Sequence, residues 1–236
     1  MPTILAIETS SELASVALLK EGSVQARESS GVRTHSASVL PMVQELLAEA
    51  GVALKDVDAI AFGSGPGSFT GVRTACGIAQ GLAFGASLPV VPVVTLPAMA
   101  LACREQSCAT DILTVLDARM GEVYWAQYRW TGGAWITLAE PVLSAPEAVA
   151  PVPVKGLVAC GNGIAAYADL YADKPFSSGA FTAILPHAAQ IARLAETEFA
   201  AGRTVPAAQA QPLYLRNKVA YTSAERKVIN AAKDAA

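Results

Sequence analysis

The first thirty residues break into three β-prone runs, TILAIETS, ASVALLK and VQARES, separated by the turn formers SSEL and EGS. Strands joined by such short turns pair as an antiparallel meander. The period then changes. Over residues 35–50 (HSASVLPMVQELLAEA), Val39, Met42, Val43, Leu46 and Leu47 recur at helical spacing. Pro41 fits the first turn of a helix starting near Val39 or Leu40, and Gly51 stops it. VDAIAF at 57–62, with Asp56 and Asp58 at its start, reads as a buried strand, and a helix-compatible run covers 72–86. VPVVTLPAMALACRE adds a short strand and another helix.

At Asp111 the pattern restarts. DILTVLDA, EVYWAQYRW and AWITLAE are strands, with RMG and TGG as their turns. A short helix after Ser144, the strand GLVACG, a helix near 164–171, the strand FTAIL and a helix over 187–201 follow. The chain thus reads as two α/β units in tandem, 1–107 and 108–236, each opening with a three-stranded meander. Its end is an extended segment and then a helical or frayed tail, whose Arg216, Lys218, Arg226, Lys227 and Lys233 read as solvated charges.

One stretch, 57–86, joins a strand, a glycine loop and a helix. Gly63, Gly65, Pro66 and Gly67 predict a tight, exposed turn, and Ser68 or Thr70 can cap the helix beyond. This order suits anion binding, because a helix N-terminus presents unpaired N–H groups. Yet Gly71 is followed by Val72 and Arg73, not by the Lys of a P-loop. A Gly-x-Gly-x-x-Gly count ends on Ser68 or on Thr70, so the dinucleotide fingerprint fails too. Glycine instead continues inside the helix at Gly77, Gly81 and Gly85, each costing about 1 kcal/mol relative to Ala. Ala75, Ala79 and Ala83 lie near that line, so one face is expected to be smooth, packed either on its own sheet or on another subunit.

Hydrophobic residues make up 53% of the chain and charged ones 16%, which points to extensive burial or a substantial interface. A net charge of −3 argues against strong nucleic-acid binding by this chain alone. Cys76, Cys103, Cys108 and Cys160 form no C-x-x-C pair and suit the reduced thiols of a cytoplasmic protein. No basic stretch precedes the short apolar N-terminus, so no signal peptide is expected. Residues 74–103 lack charge between Arg73 and Arg104, but Gly85, Pro89, Pro92 and Pro97 divide them, so no membrane span is expected.

Candidate chemistry is sparse. His35 and His187 lie in different halves, and the position four after His35 is Val39, so no metal pair forms. Glu8 ends the first strand and Glu12 lies in its turn; Asp117 and Glu122 stand at the corresponding place in the second unit. Such acids either hold Mg²⁺ and water in an ATPase-like cleft or simply satisfy turn amides. No Ser/His/Asp set is evident. Arg73, in the first helical turn, opposes the helix dipole and calls for an acid, in this chain or in a partner.

Together ILAIETSSELASVALL, THSASVLP, IAFGSGPGSFTGVRTACGIAQGLAFG, VLDARMGEVY and PLYLR resemble the TsaB (YeaZ) family over essentially the whole chain. The resemblance implies two tandem domains of the sugar kinase–actin type, RNase H-like in topology. It implies a non-catalytic subunit for N6-threonylcarbamoylation of the tRNA adenosine beside the anticodon. Implied partners are a TsaD-like catalytic paralogue and a TsaE-like ATPase, with a homodimer formed by this chain alone and tRNA met only through the complex. ATP and metal are expected on those partners, with no cofactor here and no membrane. TsaD-like proteins place two metal-binding histidines four apart at the start of the first helix, where this chain has His35 and Val39. The implied interface is the first two helices: Val39, Met42, Val43, Leu46, Arg73, Gly77, Gln80, Gly81 and Gly85. Gly63, Gly65, Gly67, Ser68, Thr70 and Gly71 form the glycine-rich loop, and Glu8 and Glu12 a vestigial nucleotide site. The competing reading is an independent nucleotide hydrolase, kinase or metallopeptidase-like enzyme of the same superfamily.

Overall fold

The computed structural model describes residues 1–30 and 35–216. Ile4–Glu8 (β1) is buried at every position, because it lies in the middle of a five-stranded sheet. Leu13–Lys20 (β2) pairs antiparallel on one side of it, followed by Ser23–Ser30 (β3). Ala59–Gly65 (β4) pairs parallel on the other side, followed by Val90–Val94 (β5). The order is β3-β2-β1-β4-β5.

Side chains alternate across a sheet, so each strand feeds two cores. Leu5, Ile7, Val16, Leu18, Ile60 and Phe62 face one side, where His35–Glu49 (α1) and Phe69–Ala86 (α2) cover them. Ile4, Ala6, Ala17, Leu19, Ala59, Ala61, Val91 and Val93 face the other. That side is covered chiefly by Ala188, Ile191, Ala192 and Ala195 of the late helix Ala188–Ala200 (α6), with Ala98 of Thr95–Ser107 (α3).

The second sheet contains Asp111–Arg119 (β6), Glu122–Thr131 (β7), Ala134–Ser144 (β8) and Val158–Cys160 (β9), in the order β8-β7-β6-β9. Ile112, Leu116, Tyr124 and Tyr128 pack on Leu96, Met99, Ala100 and Cys103 of α3. Leu113, Val115, Val123 and Trp125 pack toward Ile164, Tyr171 and Phe176, which the short helices Asn162–Ala166 (α4) and Ala168–Tyr171 (α5) help supply. Helix α3 therefore contributes to the cores of both sheets, while α6 covers the first sheet alone.

Four expectations change. Helix α1 already runs from His35, not from Val39 or Leu40, which puts Pro41 in its interior. Pro41 is exposed, so water can satisfy the carbonyl four residues earlier that its missing N–H leaves unpaired. FTAIL is not a strand; Phe181 makes only an isolated bridge with Cys160, and Ile184 N turns back to the Phe181 carbonyl. The boundary at 107/108 falls between the sheets in sequence, yet α6 returns from the second half to cover the first sheet. Arg216 is not a solvated charge: its side chain is 15% exposed and paired with Glu122. The tail reading, with Lys218, Arg226, Lys227 and Lys233, lies outside the described residues.

Gly51 does end α1, with φ of +62°. Val52 N reaches the Leu47 carbonyl and Gly51 N the Ala48 carbonyl, the two bonds of a Schellman cap.

Because α6 is core for a sheet formed by the first hundred residues, trimming it must destabilise that sheet. Ile191→Ala, at a fully buried position, is expected to cost about 2–5 kcal/mol in urea unfolding. Arg203→Ala, which removes a surface pair with Glu198, is expected to leave the urea midpoint unchanged, because solvent screens exposed pairs.

Candidate functional site: a closed corner, a cleft and an open helix face

Directly after β1 the chain turns through Thr9, Ser10 and Ser11, all buried. The glycine loop lies against this corner. A Cβ on Gly63 would sit 1.8 Å from Glu8 Oε2, and one on Gly71 would sit 1.9 Å from the Thr9 carbonyl oxygen. One on Gly67 would come within 2.6 Å of the Ser10 Cβ and carbonyl. Hydrogen bonds close the same contact: Thr9 Oγ1 donates to the Gly71 carbonyl (2.7 Å) and Ser68 N to the Ser10 carbonyl (2.7 Å). The expected exposed turn is therefore overturned. Gly63, Ser64, Gly65 and Pro66 are buried, and β4 continues to Gly65, with a bulge against β5 between Gly63 and Gly65. These glycines make room for the chain's own backbone. Ser68 is the N-cap of α2, its hydroxyl accepting from Gly71 N (3.4 Å), while Thr70 is exposed in the first turn.

Glu8 sits at the centre of the corner, fully buried. Its Oε1 accepts from Ser10 N (2.5 Å), and its Oε2 has no partner among the described residues. Burial raises its pKa, partly offset by the Ser10 hydrogen bonds. It does not line the neighbouring cleft, so the vestigial nucleotide site loses one of its two expected acids.

That cleft, about 310 Å³, opens between the two sheets. Glu12 does line it, together with Ser10, Ser68, Asp117 and Asn162. Asn162 Nδ2 donates to Glu12 Oε1 (3.3 Å) and its Oδ1 accepts from Asp117 N (3.0 Å), tying the two halves together. Asp117 pairs with Arg119, and Glu122 with Arg216 (2.5 Å). Leu213, Tyr214, Leu215 and Arg216 cross the cleft as a wall. The chain's own groups thus engage each of these acids. Sequence motifs gave no sign of Asn162 or Tyr214; the only pointer to the wall was the extended PLYLR segment.

The histidines stay apart. His35 Nε2 lies 3.2 Å from the Glu12 carbonyl, while Val39, four residues on, is fully buried core. His187 caps α6, its Nδ1 accepting from Ala189 N, and its Nε2 lies 3.2 Å from Glu28. Burial lowers its pKa more strongly than Glu28 raises it.

Helix α2 has two unlike faces. Ala75, Cys76, Ala79 and Ala83 are buried on the first sheet. Gly77, Gly81 and Gly85 are exposed, and a Cβ on any of them would meet nothing within 4 Å. Contrary to the expectation of one smooth face, the alanines do not share the glycine face; two residues of separation place them about 200° round the helix. Phe84, 81% exposed, stands beside the glycines. Among the other expected interface residues, Val39, Met42, Val43 and Leu46 point inward, because α1 needs them to cover β1, β2 and β4. Gln80 Nε2 is bound to the Ala210 carbonyl (3.0 Å). Arg73 is exposed, over the ring of Phe69.

A family model described as TsaD, tRNA N6-adenosine threonylcarbamoyltransferase, matches residues 21–234. The tRNA threonylcarbamoyladenosine biosynthesis protein TsaB of Escherichia coli (strain K12) is 43% identical over 222 residues, covering 92% of this chain and 96% of that protein. The protein of the same name from Haemophilus influenzae is 40% identical over 232 residues, covering 93% and 95%. YeaZ from Pseudomonas aeruginosa superposes with a TM-score of 0.83 at 41% identity, over 91% of this chain and 100% of that one. This chain belongs to the TsaB (YeaZ) family.

The family's mixed α/β fold with two sheets is the fold class expected from the sequence. Among the described residues no helix is long and apolar enough to cross a membrane, and no cluster of three His, Cys, Asp or Glu could hold a metal ion.

Three outcomes follow from the corner and the helix face. Gly71→Ala is expected to destabilise the protein by about 3 kcal/mol, since its Cβ meets backbone. Gly81→Ala is expected to stabilise the isolated chain by about 1 kcal/mol, both read by urea unfolding. Glu8 has a folded pKa above the unfolded 4.5, so the native state holds its proton more tightly. Its contribution is full below pH 4.5 and is lost as pH rises through the folded value. Glu8→Gln is therefore expected to be more stable than wild type at pH 7 and to flatten that decline. An unchanged pH–stability curve would contradict it.

Proposed function

We propose that this protein is a non-catalytic subunit of the system that installs N6-threonylcarbamoyladenosine beside the tRNA anticodon. The observation that carries the proposal is the closed corner: the loop that would cradle a phosphate is filled by Glu8, Thr9 and Ser10 of the same chain. The family membership and the names of the relatives supply the pathway. Its partner is a TsaD-like catalytic subunit, which matches the TsaD family model found on this chain as a paralogue would. Catalytic metal and the transferred group belong to that partner, and ATP turnover to a TsaE-like ATPase. Contact with tRNA is made through the complex, in the cytoplasm.

The mode of action is selection of a conformer. A subunit that binds only the competent form of its partner raises that form's population, with no chemistry of its own. The exposed glycine face of α2 suits this task, because helices without side chains at the contact approach closely and bury each other's backbone. Alone, the protein uses the same face to pair with a second copy.

Reconstitution tests this. With a TsaD-like subunit, a TsaE-like ATPase, threonylcarbamoyl-adenylate and tRNA, modification is expected to require this protein. The isolated protein is expected to show no Mg²⁺-dependent ATP turnover. Full-rate modification in its absence would overturn the reading. Gly81→Leu is expected to weaken association with the catalytic subunit by about tenfold or more, with the circular dichroism spectrum unchanged.

A further inference from the structure

All four cysteines are free thiols, and two of them meet. Cys103 lies on α3 and Cys160 ends β9; both are fully buried in the core between α3 and the second sheet. Cys160 Sγ donates to the Met99 carbonyl (3.7 Å). Met99 stands one helical turn before Cys103, and a helical side chain leans over the turn on its N-terminal side. The Cys103 thiol therefore lies beside the Cys160 thiol. Helix and strand are pressed together here: a Cβ on Gly161, the residue after Cys160, would come within 2.7 Å of Met99 Cε. The other two cysteines are elsewhere. Cys76 is on α2, where its Sγ donates to the Ala210 carbonyl (3.5 Å), and Cys108 is exposed just beyond α3.

The paired thiols are chemically unequal. Its interaction with Cys160, helped by Ser107, holds the Cys103 thiol below its usual pKa although it is buried. Burial, with Cys103 alongside, pushes the Cys160 thiol well above it. In such a pair the first thiol is the one that ionises and attacks, and the second keeps its proton until a leaving group needs it.

We propose that Cys103 and Cys160 are a reversible dithiol–disulfide site, oxidised by a peroxide, that ties α3 to β9. The Cys103 thiolate sulfur attacks one peroxide oxygen and the O–O bond breaks. The departing hydroxide takes up the proton that Cys103 released, and Cys103 becomes a sulfenic acid. The Cys160 sulfur then attacks the Cys103 sulfur. The S–S bond forms, the S–O bond breaks, and the oxygen leaves as water with the Cys160 proton. Two thiols lose two electrons, one peroxide gains them, and two waters result. Burial of both sulfurs calls for a small, uncharged oxidant, because exchange with a bulky disulfide requires an accessible thiol. The bridge joins a helix that contributes to both cores to the edge strand of the second sheet, and a cross-link restricts the unfolded chain. This site is independent of the subunit reading given above.

The experiment uses the full-length protein, reduced, exposed to hydrogen peroxide under native conditions, then blocked with N-ethylmaleimide in denaturant and mapped by peptide mass spectrometry. A linked Cys103–Cys160 peptide that dithiothreitol separates is expected, with loss of two of the four thiols and a higher urea midpoint. Cys103→Ala and Cys160→Ala are each expected to abolish the link, and Cys108→Ser to leave it intact. Four blocked thiols after peroxide would overturn the proposal, as would disulfides that involve only Cys108 or Cys76. Sulfinic acids at both buried positions without a link would overturn it too. So would a link that forms only when peroxide is added in urea, since native packing would then not bring the two sulfurs together.

Discussion

The corner at Glu8, Thr9 and Ser10 lies so close to the backbone of residues 63–71 that no side chain fits between them, and the rest of the molecule is arranged by that contact. Three glycines supply it, each where even a methyl group would collide with another part of the chain. The contact fixes where β1 stops, and β4 runs parallel beside it as far as the Ile7–Phe62 pair. It also fixes the first turn of α2, because Thr9 and Ser10 bond to Gly71 and Ser68 on either side of the helix start. A buried carboxyl group, Glu8, sits in the middle; its Oε1 accepts from Ser10 N, and burial raises its pKa.

Once the start of α2 is set, its two faces are set as well. The alanine face is small because the helix rests directly on the sheet, where Ala75, Ala79 and Ala83 leave no room for more. The glycine face has no such reason inside the subunit. Gly77, Gly81 and Gly85 have positive φ nowhere and no crowding neighbour, so alanine would fit at each. Together they forgo about 3 kcal/mol of helix propensity. Within the described structure nothing compensates for that loss, which is why the explanation is sought outside the subunit.

Much of the fold was legible because it depends on local periods. The two meanders, α1 and α2 follow from alternation and helical spacing. The failures share a cause, which is contact between residues far apart in sequence. The glycines of 63–71 looked like turn formers, whereas their partner is a corner some sixty residues earlier. FTAIL has strand composition, but only Phe181 finds a neighbour in Cys160. Helix α6 reads as part of the second unit, although its small residues match the first sheet. For the candidate site, the sequence singled out Arg73 and the glycines, but could not separate an outward glycine from an inward alanine on the same helix. It also took Val39, Met42, Val43 and Leu46 as contact residues, when helical amphipathicity marks the face that a helix buries in its own core.

The segment at 211–216 connects these features. Leu213 N donates to the Ser64 carbonyl in the glycine loop (2.7 Å), and the Leu213 carbonyl packs against Gly65. Tyr214 then holds Arg73 on α2, Leu215 packs into the core of the second sheet, and Arg216 pairs with Glu122 in the second unit. Six consecutive residues thus join the closed corner, the helix face and the far side of the cleft. A shift of α2 that displaced Arg73 would pull on Tyr214 and, through it, on the wall of the cleft. Tight packing makes such a connection stiff, since close-packed groups move together or not at all. The helix face is therefore presented by the first sheet, and the 213–216 segment links its first turn to the second unit.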